Sequence, residues 1–236
     1  MSTPRAFLIL GLSLIIGLVA FGAQLGRAVK KGREFDRFLS VKGLSEREVK
    51  ATLVIWPIRF SVFADELGTL KNAMEKSRHL AVAFLKQNGI ESTEISQGLP
   101  EVCDREDERI QANRPSLARY RGIVTLVVRS PKVDIVKKAI QNADALLENG
   151  VTLLGNESAN RIEFIFNAIN EIKPDMIREA TANARAAAEK FALDSHSRVG
   201  SIRKATQGTI EIEDRDAASP ELKVIRVVTT VDFFFE

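Results

Sequence analysis

Apolar side chains recur at three- and four-residue spacing in several stretches, and each such stretch predicts a helix. The clearest runs from Lys173 to Leu193, where Ile177, Ala180, Ala184, Ala187, Ala188 and Phe191 form a stripe rich in small side chains. Pro174 suits a first helical turn, where its missing N–H is not needed, and Asp175 complements the positive helix end. Alanines on one face allow a helix to lie close to a sheet. A second helix is predicted after Asp65, which can cap it, through Leu67, Leu70, Met74, Ala81, Phe84 and Leu85 to a left-handed stop at Asn88-Gly89. A third opens at Ser130-Pro131, carries Val133, Val136, Ile140, Ala143 and Leu147, and ends at Asn149-Gly150.

Elsewhere the period is two. Strands are predicted over residues 38–43, 49–63, 92–102, 120–129, 161–169, 199–213 and 222–235, the last two as an antiparallel pair. Pro57 lies within the second of these and cannot donate to a ladder, so it calls for an edge or a bulge. At the C-terminus Phe233 and Phe235 share one face, and Phe234 on the other hints at a partner or a covering helix. Residues 104–118 are charged and aperiodic, a long exposed hairpin connection. The predicted class is α+β: helices packed on mainly antiparallel sheets, two strand-helix-strand-strand units, preceded by one N-terminal transmembrane helix.

That last element rests on residues 6–26, 21 positions without a charge. At about 1.5 Å per residue they reach roughly 30 Å, the depth of a bilayer core. A cleaved signal peptide is the rival, with Ala20-Phe21-Gly22 as a usable small-x-small site, but the length favours an uncleaved anchor. The net charge of +3 belongs to the next segment of the chain, where Arg27, Lys30, Lys31, Arg33 and Arg37 oppose only Glu34 and Asp36. Residues 38–236 hold 28 basic and 29 acidic side chains, so the body carries no nucleic-acid footprint. Basic residues after the span place the body in the cytoplasm by the positive-inside rule, unless they rest on anionic headgroups.

Candidate chemistry is sparse. Cys103 is the single cysteine, so no intrachain disulfide forms, and its neighbours Glu101 and Asp104 disfavour a reactive thiolate. His79 and His196 are the only histidines and have no zinc-ligand spacing. Asp194, Ser195 and His196 are adjacent and cannot present a relay; a helix-end role fits them better. Glu211, Glu213, Asp214 and Asp216 could hold calcium, but alternation puts the glutamates on a solvated strand face and the aspartates in a turn. No catalytic, cofactor-binding or metal site is expected.

The pattern A-x-x-x-A-R-x-x-A-E-x-x-A from Ala180, with V-G-x-I after it, resembles the second helix of the SIMPL-domain family of bacterial envelope proteins. V-K-G-L-S-E-R-E-V-K-A with I-W-P-I, R-Y-R-G-I-V-T-L-V-V-R-S, Q-G-T-I-E-I-E-D-R-D and V-I-R-V-V-T-T-V-D-F-F-F look like strands of the same family. The resemblance implies an N-terminal anchor or signal over 1–26, a basic linker over 27–37 and a SIMPL-like domain over 38–236. It also implies a single-pass protein of the bacterial inner membrane with its domain in the periplasm, opposite to the charge rule. Some family members are linked to oxidative-stress tolerance and some form rings, so a homo-oligomer is expected. The family offers no agreed catalytic residues. The reading is a non-enzymatic binding or structural module. The alternatives are an enzyme of unrecognised chemistry, using the acidic cluster or the 104–118 loop, and a cytoplasm-facing scaffold.

Overall fold

The computed structural model describes residues 11, 14–26, 38–111, 117–155 and 160–235. Residues 14–26 are helical (α1). They belong to the expected span, whose residues 6–10, 12 and 13 lie outside the described residues, as does the basic linker 27–37. Among the described residues no helix is both long and apolar enough to cross a membrane. The chain is α+β, with antiparallel sheets and several helices. It divides into two units, one drawn from Met1–Arg47, Ile172–Glu211 and Ile225–Glu236, the other from Glu48–Glu171 and Ile212–Val224.

The unit around Glu48–Glu171 is built on a long hairpin-like pair. Strand β2 (Leu53–Ala64) runs against β5 (Tyr120–Ser130) in unbroken register from Val54 opposite Ser130 to Ala64 opposite Tyr120. Period two puts Val54, Trp56, Ile58 and Phe60 on one buried face with Val124, Leu126 and Val128. Helix α2 (Leu67–Gln87) covers that core with Ala81, Phe84 and Leu85. Gly89, at φ 84°, ends it in the expected left-handed turn, with the Ile90 N–H returning to the Leu85 carbonyl at 3.0 Å. Short strands complete the sheet: β3 (Ile95–Gln97) and β4 (Glu101–Asp104) on β5, β6 (Thr152–Leu153) and β7 (Glu163–Ile165) on β2. Helix α3 (Glu106–Gln111) comes after β4, and α4 (Val133–Gln141) and α5 (Asp144–Glu148) come after β5.

Pro57 needs neither an edge strand nor a bulge. β2 is central, but β7 pairs only with residues 53–55 and β6 only with Phe60 and Ser61. Arg59, of the same parity, gives its carbonyl to Leu154 on that side, so Pro57 turns its missing N–H into the gap between the two short partners.

The other unit stands on the sheet β1-β9-β8, made of β1 (Phe38–Lys50), β9 (Leu222–Phe235) and β8 (Val199–Asp214). Helix α6 (Ile169–Asp194) presses its alanines against Val41, Val231 and Phe233. Contact is close: a Cβ on Gly43 of β1 would sit 1.8 Å from the Ala180 carbonyl oxygen. The Asn183 amide donates to the Leu44 carbonyl at 2.8 Å, and Glu179 takes Ser45 Oγ at 2.9 Å and Arg47 at 3.3 Å.

Several expectations need correcting. The buried stripe of α6 is Met176, Ala180, Ala184, Ala188 and Ala192, a strict four-residue ridge. Ile177 and Ala187 are only half-buried, and Phe191 is 59% exposed. Four-residue spacing drifts around a 3.6-residue helix, and this ridge tracks the sheet whereas the mixed spacing does not. α6 begins at Ile169, so Pro174 falls in its second turn, and the strand before it shrinks to Glu163–Ile165. That strand pairs with β2, so the second strand-helix-strand-strand unit is one of sequence order, with β1 the strand in its sheet. Asp65 does not cap α2; its Oδ1 accepts the Arg119 N–H at 3.2 Å. Residues 92–102 break at Gly98-Leu99-Pro100 into two strands preceded by a single 3-10 turn. A kink after Gln141 turns Leu146 inward in place of Leu147. Within the 104–118 connection α3 is helical, laced by Arg105–Glu108 and Arg109–Glu106 pairs, and residues 112–116 lie outside the described residues.

Candidate functional site

The longest wholly exposed stretch of any described strand lies in β8. It is an outer strand of its sheet, and every residue from Ser201 to Thr209 is exposed, both faces included. R-K-A-T-Q-G-T, residues 203–209, offers no large apolar side chain to either face, so β8 reaches the core under α6 only through Val199 at its start, and β1 and β9 supply the rest. Its outer edge leaves backbone N–H and C=O groups for another strand. Arg203 stacks on Phe38 at 4.3 Å, but neither it, Lys204 nor Glu211 has an oppositely charged partner among the described residues. Carboxylates nearby are paired, Glu46 with Arg226 at 2.7 Å.

Of the hollows around the β2–β5 sheet, two bear on the candidate chemistry. One of about 360 Å³ is lined by Phe63, Cys103, Arg105, Glu108 and Arg121. Cys103 is exposed, stands opposite Arg121 in the ladder, and points its thiol at the Asp104 carbonyl at 3.7 Å. The carboxylates around it are held by arginines: Arg105 holds Glu108 at 2.8 Å, and the Arg119 guanidinium holds the Asp104 carboxyl below its ordinary range, while Nε of Arg121 is buried without a hydrogen-bond partner among the described residues. The other, about 540 Å³, lies beside Lys137, Arg161, Phe164, Asp214 and Glu221. Glu221 is its most buried charge: burial, the largest single effect, works against that charge, but Lys137 at 2.5 Å, a backbone N–H and the charge of Arg215 together lower its pKa. Its backbone carbonyl accepts the Ala51 N–H at 2.7 Å.

The residues weighed from the sequence are not gathered into one place. His196, at φ 54°, closes α6 in a left-handed turn, while Ser195 Oγ donates to the Phe191 and Ala192 carbonyls. That is the helix-end role. His79 stands beside Glu75 on α2 at 4.0 Å. In the acidic stretch Lys223 takes Asp214, and Arg215 takes Asp216 at 2.8 Å, holding that carboxyl low. No three His, Cys, Asp or Glu side chains among the described residues are placed to hold a metal. Phe234 is half-buried.

A family model for SIMPL, described as a protein of unknown function (DUF541), matches residues 39–232. The chain belongs to the SIMPL family. No curated protein matches this SIMPL chain. Among solved structures, a hydrolase from Listeria innocua is 13% identical and covers 81% of this chain and 92% of its own, at a TM-score of 0.21. A likeness that low carries no argument about fold or activity.

Two features of this SIMPL protein escaped the sequence reading. Glu221 sits in what reads as a turn, D-R-D-A-A-S-P-E, and only the folded chain brings Lys137 to it. The bareness of β8 did have a signal: seven successive residues without a bulky apolar side chain cannot supply a buried strand face.

Proposed function

We propose that this SIMPL protein is a membrane-anchored, extracytoplasmic module that works by binding rather than catalysis and associates with itself. The observation that carries this reading is β8, an outer strand exposed on both faces from Ser201 to Thr209. The anchor rests on the uncharged run over 6–26. A binding role suits the hollows, whose carboxylates are held in ion pairs: Glu108 with Arg105, Glu221 with Lys137. The test is to express the full chain, wash the membranes at high salt and alkaline pH, and cross-link what remains. Retention in the membrane with cross-linked species larger than the monomer is the expected result. Release of the whole protein, or a monomer only, overturns the corresponding half. Five basic residues after the span favour the opposite orientation, and a compartment-sensitive reporter fused after Glu236 decides between them.

A further inference from the structure

We infer that two copies of this chain join along β8, antiparallel, about a two-fold axis through Gln207, setting Arg203 of each copy opposite Glu211 of the other. This rests on the self-association proposed above and names its surface and register. Three observations carry it. β8 is an outer strand, so among the described residues its far edge has no strand beside it. From Ser201 to Thr209 no residue is covered on either face, so a neighbouring strand meets no obstacle from side chains packed there. Its charges are arranged as their own complement. Arg203 lies four residues before Gln207 and Glu211 four after. Even separation puts the two on one face of the strand. Neither has an oppositely charged partner among the described residues.

Antiparallel pairing about Gln207 sets Lys204 against Ile210, Ala205 against Thr209 and Thr206 against Gly208, with no like charges opposed. Because the interface is isologous, the Arg203–Glu211 pair forms twice. In-register parallel pairing would oppose Arg203 to Arg203 and Glu211 to Glu211. Sliding the antiparallel register by two residues one way leaves Glu211 opposite Ser201 and Arg203 opposite Thr209; sliding it the other way sets Arg203 opposite Glu213 and leaves Glu211 opposite Ala205, so Glu211→Arg separates that register from the one proposed. Charges of a single sign on such an edge would serve to repel other strands. Here the signs are opposite and symmetrically placed, which selects one partner, a second copy.

The test is a charge exchange in the full chain in detergent, read by sedimentation equilibrium, with far-UV circular dichroism to check folding. Arg203→Glu and Glu211→Arg should each weaken the dimer about tenfold or more, since two attractive cross-strand pairs become repulsive. The double variant restores the pairs in reversed order and should return to within about threefold of the original. A wild-type chain that stays monomeric overturns both the self-association and this register, leaving the edge for another protein's strand. A wild-type oligomer indifferent to all three variants overturns the register alone. Arg203→Glu also loses the stacking on Phe38, so a second probe guards against misfolding. Gln207→Cys in a Cys103→Ser background places two thiols face to face at the axis, within disulfide reach. An interchain disulfide on mild oxidation supports the register, and an oligomer that never cross-links overturns it.

Discussion

Gly43→Ala is the sharpest test of how α6 lies on its sheet. The added Cβ would stand 1.8 Å from the Ala180 carbonyl oxygen and 2.6 Å from the Ala184 nitrogen, both backbone atoms that cannot swing aside. Ordinary contact begins at 3.4 Å, so helix and strand must part by about 1.6 Å. A gap of that size forfeits much of the dispersion between the alanine ridge and Val41, Val231 and Phe233. The cost should be about 3 kcal/mol, the upper end for overpacking, and lower the melting temperature by roughly 6–12 °C. Gly68→Ala is the control: it sits in α2 with open space around it and should hold stability or gain up to about 1 kcal/mol. Far-UV circular dichroism of the full chain reports on both units. Fluorescence of Trp56, the single tryptophan, reports only on the unit around β2 and β5. If Gly43→Ala unfolded within about 0.5 kcal/mol of the original chain, the close approach of α6 to β1 would be refuted.

Ala184→Leu should cost roughly 1–3 kcal/mol in thermal unfolding, because Ala184 is fully buried on the ridge. Ala186→Leu, on the exposed side of the same helix, should be nearly neutral, and equal effects would mean the ridge is not the buried face. Glu221→Gln should cost about 1–3 kcal/mol at neutral pH by removing the charge that Lys137 meets. The Glu221 carboxyl is lowered from 4.5 in the folded chain, so its contribution is complete above that pH and is lost as pH falls through the folded value. Urea titrations should therefore show the gap between wild type and Glu221→Gln narrowing below about pH 4.5. A gap that stays constant or widens on acidification contradicts the pairing.

What local spacing records is legible in the sequence; what long-range pairing decides is not. The period-two runs of β2, β5 and β9, the α2 helix with its stop at Gly89, and the alanine-rich helix before β8 were readable because side-chain direction is set directly by backbone period. The SIMPL family was readable as well, since several such segments recur in a fixed order. The choice of Met176 and Ala192 over Phe191 for the buried ridge was not, because it depends on how the helix crosses the sheet. Pro57 is accommodated by the gap between β6 and β7, two neighbours far along the chain. Asp65 has a capping residue's chemistry, yet Arg119, 54 positions on, claims it. The open edge of β8 is of the same kind: its polar sequence shows that no core covers residues 203–209, but only strand order shows that no described strand of its sheet lies beyond it. An edge is a property of neighbours, and neighbours are set by the fold.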